Sequence, residues 1–161
     1  MAGVIETNVV TQVALVVRDI EKTKGKFAEF LGKEPPATID GGNYEVTGTM
    51  VYGKPSPDAN CLMAFFDIGP GLQLELIQPN EVKSCWRDFL DQYGEGLHHI
   101  AFGVKRMNEK IRACEFFGLT CVQRGKYGNG GGEYAYLDGR QDLKCFIELL
   151  ENYEDLGPLQ A

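Results

Sequence analysis

The chain has 161 residues and a formal net charge of −7, which argues against nucleic acid or an anionic membrane surface as its main partner. No apolar run approaches the ~18 residues that a membrane span requires, and the first ten residues lack a signal-peptide pattern, so the sequence predicts a cytoplasmic protein. The five cysteines are an odd number without C-x-x-C spacing, which disfavours both a disulfide framework and a thiolate zinc site.

The first half of the chain predicts one strand, one helix and then three strands. Residues 1–10 form a loose lead-in, and a short apolar run over residues 12–17 predicts the first strand. Asp19 can cap a helix that ends at Leu31, because Gly32 supplies a stop signal. Alternating patterns then predict three strands, over residues 44–52, 61–68 and 72–78.

The second half repeats this order after a predicted linker helix within residues 80–96. Its elements are a strand over 97–104, a helix over 106–117, and strands over 119–127, 133–138 and 143–151. The segment QVALVVR that begins at Gln12 also aligns with HIAFGVK that begins at His99. Residues 11–79 and 97–151 are therefore predicted as two βαβββ modules that bury their apolar faces against each other, and residues 152–161 as a C-terminal tail.

The two adjacent histidines of the chain are predicted to play different parts. Successive side chains of a strand point to opposite faces. In LHHIAFGV, His99 therefore shares its face with the small residues Ala101 and Gly103, which leaves space beside its ring. His98 is expected on the opposite, apolar face, where it would pack or form a hydrogen bond.

Gln12, Glu75 and Glu148 are predicted to project from one face of other strands whose opposite faces are apolar. Taken alone, each carboxylate is better explained as a solvated strand residue, and His99 as a satisfied core histidine. The repeat favours a metal site, because ligand-type side chains recur at pseudo-equivalent positions in both halves. A buried carboxylate needs a partner, and this donor set suits one divalent ion with open positions, namely Zn, Co, Ni, Mn or Mg.

Three segments, GEGLHHIAFGV, ELIQP and YGNGGGEYAYLD…FIELLE, resemble the methylmalonyl-CoA epimerases of the vicinal oxygen chelate superfamily, which also includes glyoxalase I and extradiol dioxygenases. The resemblance covers roughly residues 11–151. It implies an α+β fold in which two paired βαβββ modules form a cupped mixed sheet with helices outside. It also implies a homodimer, a small-molecule substrate such as an acyl-CoA, and a divalent metal held by Gln12, Glu75, His99 and Glu148.

The chain departs from those epimerases at two positions. They usually have histidine where this chain has Gln12, and they carry a second acidic residue on a strand that here offers only Asp67. The Gln-Glu-His-Glu set resembles glyoxalase I (lactoylglutathione lyase) instead. However, the positions of that enzyme's glutathione-binding arginines and asparagine are Val16, Glu95 and Pro79 here. One usable histidine disfavours an iron dioxygenase.

The resemblance implies proton transfer next to a carbonyl, with the metal acting as a Lewis acid. We expect Glu148 to be the base and Glu75 its partner on the opposite face. The leading interpretation is a methylmalonyl-CoA epimerase-like isomerase, with a glyoxalase-type lyase as the alternative. A non-catalytic binding protein of the bleomycin-resistance kind is a third possibility, although such proteins tend to lack the full metal set.

Two further segments are candidates for contacts with a substrate. Residues 105–126 contain six basic residues and two acidic ones, which could meet coenzyme A phosphates, although a solvated helix face and strand end explain them more simply. The glycine-rich GNGGG (128–132) is either a mobile loop over the ligand or a flexible hairpin turn.

Overall fold

The computed structural model describes residues 3–153, which form ten strands and four helices. The strands are β1 (Val10–Val16), β2 (Ile39–Asp40), β3 (Met50–Val51), β4 (Lys54–Pro55), β5 (Cys61–Gly69), β6 (Leu72–Pro79), β7 (Gly96–Gly103), β8 (Thr120–Lys126), β9 (Gly132–Asp138) and β10 (Phe146–Asn152). The helices are α1 (Ile20–Leu31), α2 (Tyr44–Thr47), α3 (Cys85–Tyr93) and α4 (Met107–Phe117). Most of the tail predicted over 152–161 lies outside the described residues.

Local capping chemistry sets the limits of the longer helices. The side chain of Asp19 accepts the backbone N–H of Lys22 at the start of α1, and Gly32 ends the helix in the left-handed conformation. Ser84 caps α3 in the same way, and Gly118 ends α4. The predicted limits of α1 and the predicted end of α4 are thereby confirmed.

All ten strands form one mixed sheet, in the order β2-β5-β6-β1-β7-β10-β9-β8-β3-β4. Its centre is an antiparallel pair, β1 and β7, and each of these strands is flanked by a parallel neighbour, β6 and β10 respectively. The first eight strands in this order are therefore symmetric about the β1–β7 pair: each half of the sheet is one β-α-β-β-β repeat, and equivalent strands of the two repeats lie at equal distances from that pair. The predicted α+β fold is confirmed, while the residue bounds of the two modules stay a prediction.

The helices cover different faces of the sheet. Helix α1 packs through Ile20 and Ala28 on a cluster that includes Leu76, and α4 packs on a separate cluster that includes Leu149. Helix α3 instead packs through Trp86 on the opposite, concave face. Within residues 3–153, no helix is both long and apolar enough to cross a membrane.

A short connecting segment, residues 41–49, joins β2 at one edge of the sheet to β3 beside the other edge. The strand predicted over 44–52 was therefore wrong: the chain forms one helical turn and then only the two-residue strand β3, because it must cross the open side of the sheet. At the crossing the two edges meet through glycines, since a Cβ on Gly42 would lie 2.5 Å from the Cα of Gly128. The curled sheet thus encloses a cavity.

Candidate metal centre and substrate cavity

The register of β1 with its two neighbours places the first pair of predicted ligands. Ala14 on β1 lies opposite Glu75 on β6 and opposite His99 on β7. Facing residues on neighbouring strands project to the same side of a sheet. Glu75 and His99 therefore both rise on the concave face, with only the methyl group of the fully buried Ala14 between them.

A second row places the other pair one step along the strands. Ala101 on β7 lies opposite Gln12 on β1 and opposite Glu148 on β10. Ala101 is also fully buried. The four predicted donors thus come from four adjacent strands, and the alanine in each row leaves the space above the centre of the sheet open.

Three of the four side chains converge on one point. The Nε2 atom of His99 lies 3.0 Å from Oε2 of Glu148 and 3.3 Å from Oε2 of Glu75. One possible ligand atom from each of these residues lies within 4.8 Å of the other two, and all three residues are buried. Within the described part of the chain, none of these three atoms makes a hydrogen bond of normal geometry. Buried polar atoms that converge without satisfying each other leave a place for a cation.

Gln12 lies at the same cavity but outside this close group. Its Nε2 atom donates a hydrogen bond to Oε1 of Gln73 at 3.2 Å, and the side chain lines the cavity wall. Because the amide nitrogen is the atom engaged, the amide oxygen is the atom that could turn to an ion. Its role as a fourth ligand stays a prediction.

The electrostatics of the group follow from burial and mutual proximity. Burial alone would lower the pKa of His99, but the carboxylates of Glu148 and Glu75 outweigh it and raise this pKa to about 9. Burial raises the pKa of Glu75, and the charge of Glu148 adds to the rise, while His99 opposes it. A protonated His99 is therefore the counter-ion of the metal-free site, and an ion would have to displace that proton.

His98 lies on the concave side, so its predicted place on the opposite face was wrong. Ala14 pairs with His99 and Leu15 pairs with Leu97, which leaves His98 as the extra residue of a β-bulge. A bulge turns the side chain of the extra residue away from the face that simple alternation predicts. The ring of His98 stacks on Phe146 with a centroid distance of 4.6 Å, and its Nδ1 atom lies 3.0 Å from Nδ1 of His99. His98 thus packs and has a hydrogen-bonding partner as predicted, but on the concave face of the sheet.

The cavity beside this group has a volume of about 510 Å³, and its lining includes a group of aromatic side chains that was not predicted from the sequence. Its lining includes Phe65 from β5, Trp86 from α3, and Tyr134 and Tyr136 from β9. Trp86 and Tyr136 are almost fully buried. The alternation in EYAYLD was a usable signal, because it places both tyrosines on one face, and Tyr136 pairs with Glu148 across the strands.

Three of the six basic residues predicted as possible phosphate contacts, Arg106, Lys110 and Arg124, form ion pairs with carboxylates. Lys110 is buried and lies 2.6 Å from a carboxylate oxygen of Glu6, and Arg124 pairs with Glu133 at 3.1 Å. Lys126 is the member of that group that lines the cavity. The glycine-rich segment is a hairpin turn whose Gly128 closes against the connecting segment.

Comparisons with known proteins agree with this architecture. The chain is 33% identical over 90 residues to the uncharacterized protein YqjC of Bacillus subtilis (strain 168), a match that covers 55% of this chain and 64% of that relative. Methylmalonyl-CoA epimerase from Mycobacterium tuberculosis is similar in structure with a TM-score of 0.66 at 19% identity, covering 97% of this chain and 94% of that chain. The hypothetical protein BH1468 from Bacillus halodurans C-125 gives a TM-score of 0.64 at 23% identity, covering 96% and 98%.

Streptomyces coelicolor methylmalonyl-CoA epimerase in complex with 2-nitronate-propionyl-CoA gives a TM-score of 0.62 at 20% identity, covering 89% of this chain and 96% of that chain. At these identities the structural likeness shows the fold alone. The family model described as Glyoxalase/Bleomycin resistance protein/Dioxygenase superfamily matches residues 11–136, which is more than half of the chain. The chain therefore belongs to the glyoxalase/bleomycin resistance protein/dioxygenase superfamily.

Proposed function

We propose that the protein is a metal-dependent isomerase that moves a proton at a carbon next to a carbonyl, as methylmalonyl-CoA epimerases do, with an acyl-CoA thioester as substrate. The observation that supports this most directly is the buried group of Glu75, His99 and Glu148 at the wall of a cavity large enough for a small molecule. A cytoplasmic location and a homodimer are part of the same proposal.

The residues present fit a divalent ion such as Zn, Co, Ni, Mn or Mg. Glu75, His99 and Glu148 would hold it through the three buried atoms that make no hydrogen bond of normal geometry among the described residues, with Gln12 as the fourth ligand. One nitrogen and several oxygen donors without a thiolate are typical of catalytic sites that keep an open position. When bound, the ion would supply Lewis-acid stabilisation of negative charge on substrate oxygens.

The two carboxylates are the groups of this site that can accept and return a proton, which requires that at least one of them loosens from the metal. We assign Glu148 as the base and Glu75 as the opposing acid, because they flank His99 from two different strands, β10 and β6. A pair of carboxyl groups on opposite faces of one carbon lets a proton leave from one side and return on the other.

Replacing Glu148 by glutamine tests this assignment. Solvent deuterium exchange into 2-hydroxyacyl-CoA should fall by about 10²–10⁴-fold, the usual contribution of a positioned base. Substrate binding should change little. Glu34→Gln is the matched control, because it removes the same charge from an exposed position. Full exchange activity in Glu148→Gln would contradict the assignment.

Lactoylglutathione lyase activity is the second candidate, because the Gln-Glu-His-Glu donor set resembles glyoxalase I. The surroundings offer it less support: Val16, at a position where that enzyme binds glutathione, is fully buried. Turnover of methylglyoxal with glutathione would favour the lyase. Metal analysis of the purified protein tests both enzymes against a non-catalytic binding protein, since a stoichiometric divalent ion favours an enzyme.

A further inference from the structure

The cavity wall constrains the part of the substrate that extends away from the proposed metal. Besides Phe65 and Met63 on one side, it presents Trp86, Tyr134 and Tyr136 on the other. These last three rings form one cluster, with centroid distances of 6.1 Å from Trp86 to Tyr134 and 5.7 Å from Trp86 to Tyr136. Burial of an apolar ligand group against these rings, with displacement of the water there, is favourable in free energy.

The charged residues of the cavity disfavour a ligand that carries a carboxylate. Among residues 3–153, its lining contains three carboxylates, those of Asp67, Glu75 and Glu148, and a single cation, Lys126. Without a metal this set repels a further carboxylate, and a divalent ion would only neutralise the set, so a carboxylate on the ligand would find no surplus counter-charge in the cavity. The indole Nε1 of Trp86 is buried without a hydrogen-bond partner among the described residues, and an uncharged oxygen could accept from it.

We infer that the acyl group lodged in this cavity is uncharged and apolar, and carries no second carboxylate of the methylmalonyl type. This inference rests on the proposed function only in calling the group acyl. The cavity would accept the same group without metal or turnover. A substrate with a bulky apolar side chain at the reacting carbon therefore fits the wall better than a dicarboxylic one.

Trp86 is the only tryptophan of the chain, so its fluorescence reports on the cavity. The probes are the near-isosteric pair 4-phenylbutan-2-one, which is neutral, and 3-phenylpropanoate, which is anionic, each titrated into metal-free protein. We expect a saturable change in Trp86 emission, with the ketone bound at least about tenfold more tightly than the carboxylate. Equal or tighter binding of the carboxylate, or no saturable response to the ketone, would overturn the inference.

Substitutions in the cavity wall test whether the phenyl ring of the probe binds against the aromatic cluster. Tyr134→Ser, and the milder Tyr134→Leu if the first does not fold, should weaken binding of the ketone by about threefold or more. Phe116→Ser is the control, because Phe116 is 97% exposed on α4 and lies outside the cavity. Because these titrations need no metal and no turnover, a failed deuterium-exchange assay would refute the proposed chemistry and leave the binding result standing.

A different observation, the contact between the two histidines, carries a second inference. Their Nδ1 atoms lie 3.0 Å apart, and both side chains are fully buried. Two such atoms can share only one hydrogen. If Nε2 of His99 is to offer its lone pair to an ion, the proton of His99 must be on Nδ1, and His98 must accept it.

The surroundings hold His98 in the orientation that this hydrogen bond needs. Its ring is stacked on Phe146 at an interplanar angle of 25°, and Phe89 and Tyr136 each contact it edge-on. We propose that His98 is a positioning residue, which fixes the tautomer and the ring orientation of His99 for metal binding. It acts through His99 and does not itself touch the ion.

Two substitutions separate this role from simple packing. His98→Phe keeps a stacked ring but removes the acceptor, and it should weaken zinc affinity about 10–100-fold in a competition titration with a chelator. His98→Asn places an amide oxygen close to the position of Nδ1 and should retain zinc affinity within about threefold. The visible spectrum of bound Co(II) should change in His98→Phe.

A purely structural role predicts the opposite pattern. In that case His98→Phe would bind zinc as tightly as the parent and keep its cobalt spectrum, whatever its melting temperature. That result would overturn the proposal, as would an equal loss of affinity in His98→Asn and His98→Phe. Circular dichroism of the metal-free variants shows that both are folded before the titrations.

Discussion

Replacing Glu75 by glutamine should make the metal-free protein more stable while weakening its hold on metal. In the absence of an ion, two buried carboxylates face one imidazole, and Oε2 of Glu75 lacks a hydrogen bond of normal geometry within residues 3–153. With His99 protonated, this group carries one uncompensated negative charge. The substitution keeps the shape of the side chain and removes that charge.

The size of the effect follows from the cost of burying a charge without full compensation. Removing an incompletely compensated buried ion in favour of a neutral isostere is worth about 1–2 kcal/mol, at the lower end of measured cases. For a chain of this length, that is a rise of about 2–8 °C in melting temperature. Burial raises the pKa of Glu75 above its ordinary value of 4.5, so its charged form costs stability at neutral pH. The advantage of the variant should therefore shrink as the pH falls through the raised pKa toward 4.5.

Scanning calorimetry at pH 7 in the presence of a chelator measures this effect. Glu34→Gln is the control, since it makes the same change in net charge at an exposed site, and it should shift the melting temperature by little. After the chelator is removed and zinc added, the parent should gain more stability than Glu75→Gln. A metal-free Glu75→Gln protein that is less stable than the parent by about 1 kcal/mol or more would refute this reasoning. It would show that the carboxylate is a structural partner of His99.

Two other predictions test the site and the closure of the cavity. Zinc at about a hundredfold its dissociation constant should add about 2.7 kcal/mol to the free energy of unfolding of the parent, and an unchanged melting temperature on adding zinc would argue against a metal site. Gly128→Val should lose about 1–3 kcal/mol in urea denaturation, because even a Cβ there would lie 2.8 Å from the carbonyl oxygen of Gly41. Gly25→Ala is its control, since no atom of residues 3–153 outside α1 lies within 4 Å of that Cβ, and it should gain up to about 1 kcal/mol within α1.

Local rules predicted much of the fold and the centre of the site. The caps at Asp19 and Gly32 act between residues a few positions apart, so the sequence alone identified both ends of α1. Strand alternation was sufficient to place Glu75 and Glu148 on one face. The internal repeat then linked strands from the two halves, which the structure brings together within 4.8 Å around His99.

Alternation failed where the sheet itself is irregular. The bulge at His98 arises from the mismatch between β1 and β7, and no pattern within β7 encodes the register of a partner strand. The aromatic wall was missed for a related reason. Trp86 and Tyr136 are distant in sequence, and only the packing of α3 on the concave face places them at one cavity.

The sequence by itself therefore determined the order of the two repeats, the limits of α1, the end of α4, and the face on which the carboxylates and His99 lie. These properties follow from short-range backbone geometry and capping. The tertiary structure alone decided that His98 turns inward to contact His99 and that residues 41–49 join the two edges of the sheet over a cavity. Both depend on how non-adjacent strands pair and on the curl of the whole sheet, which are properties of long-range contacts.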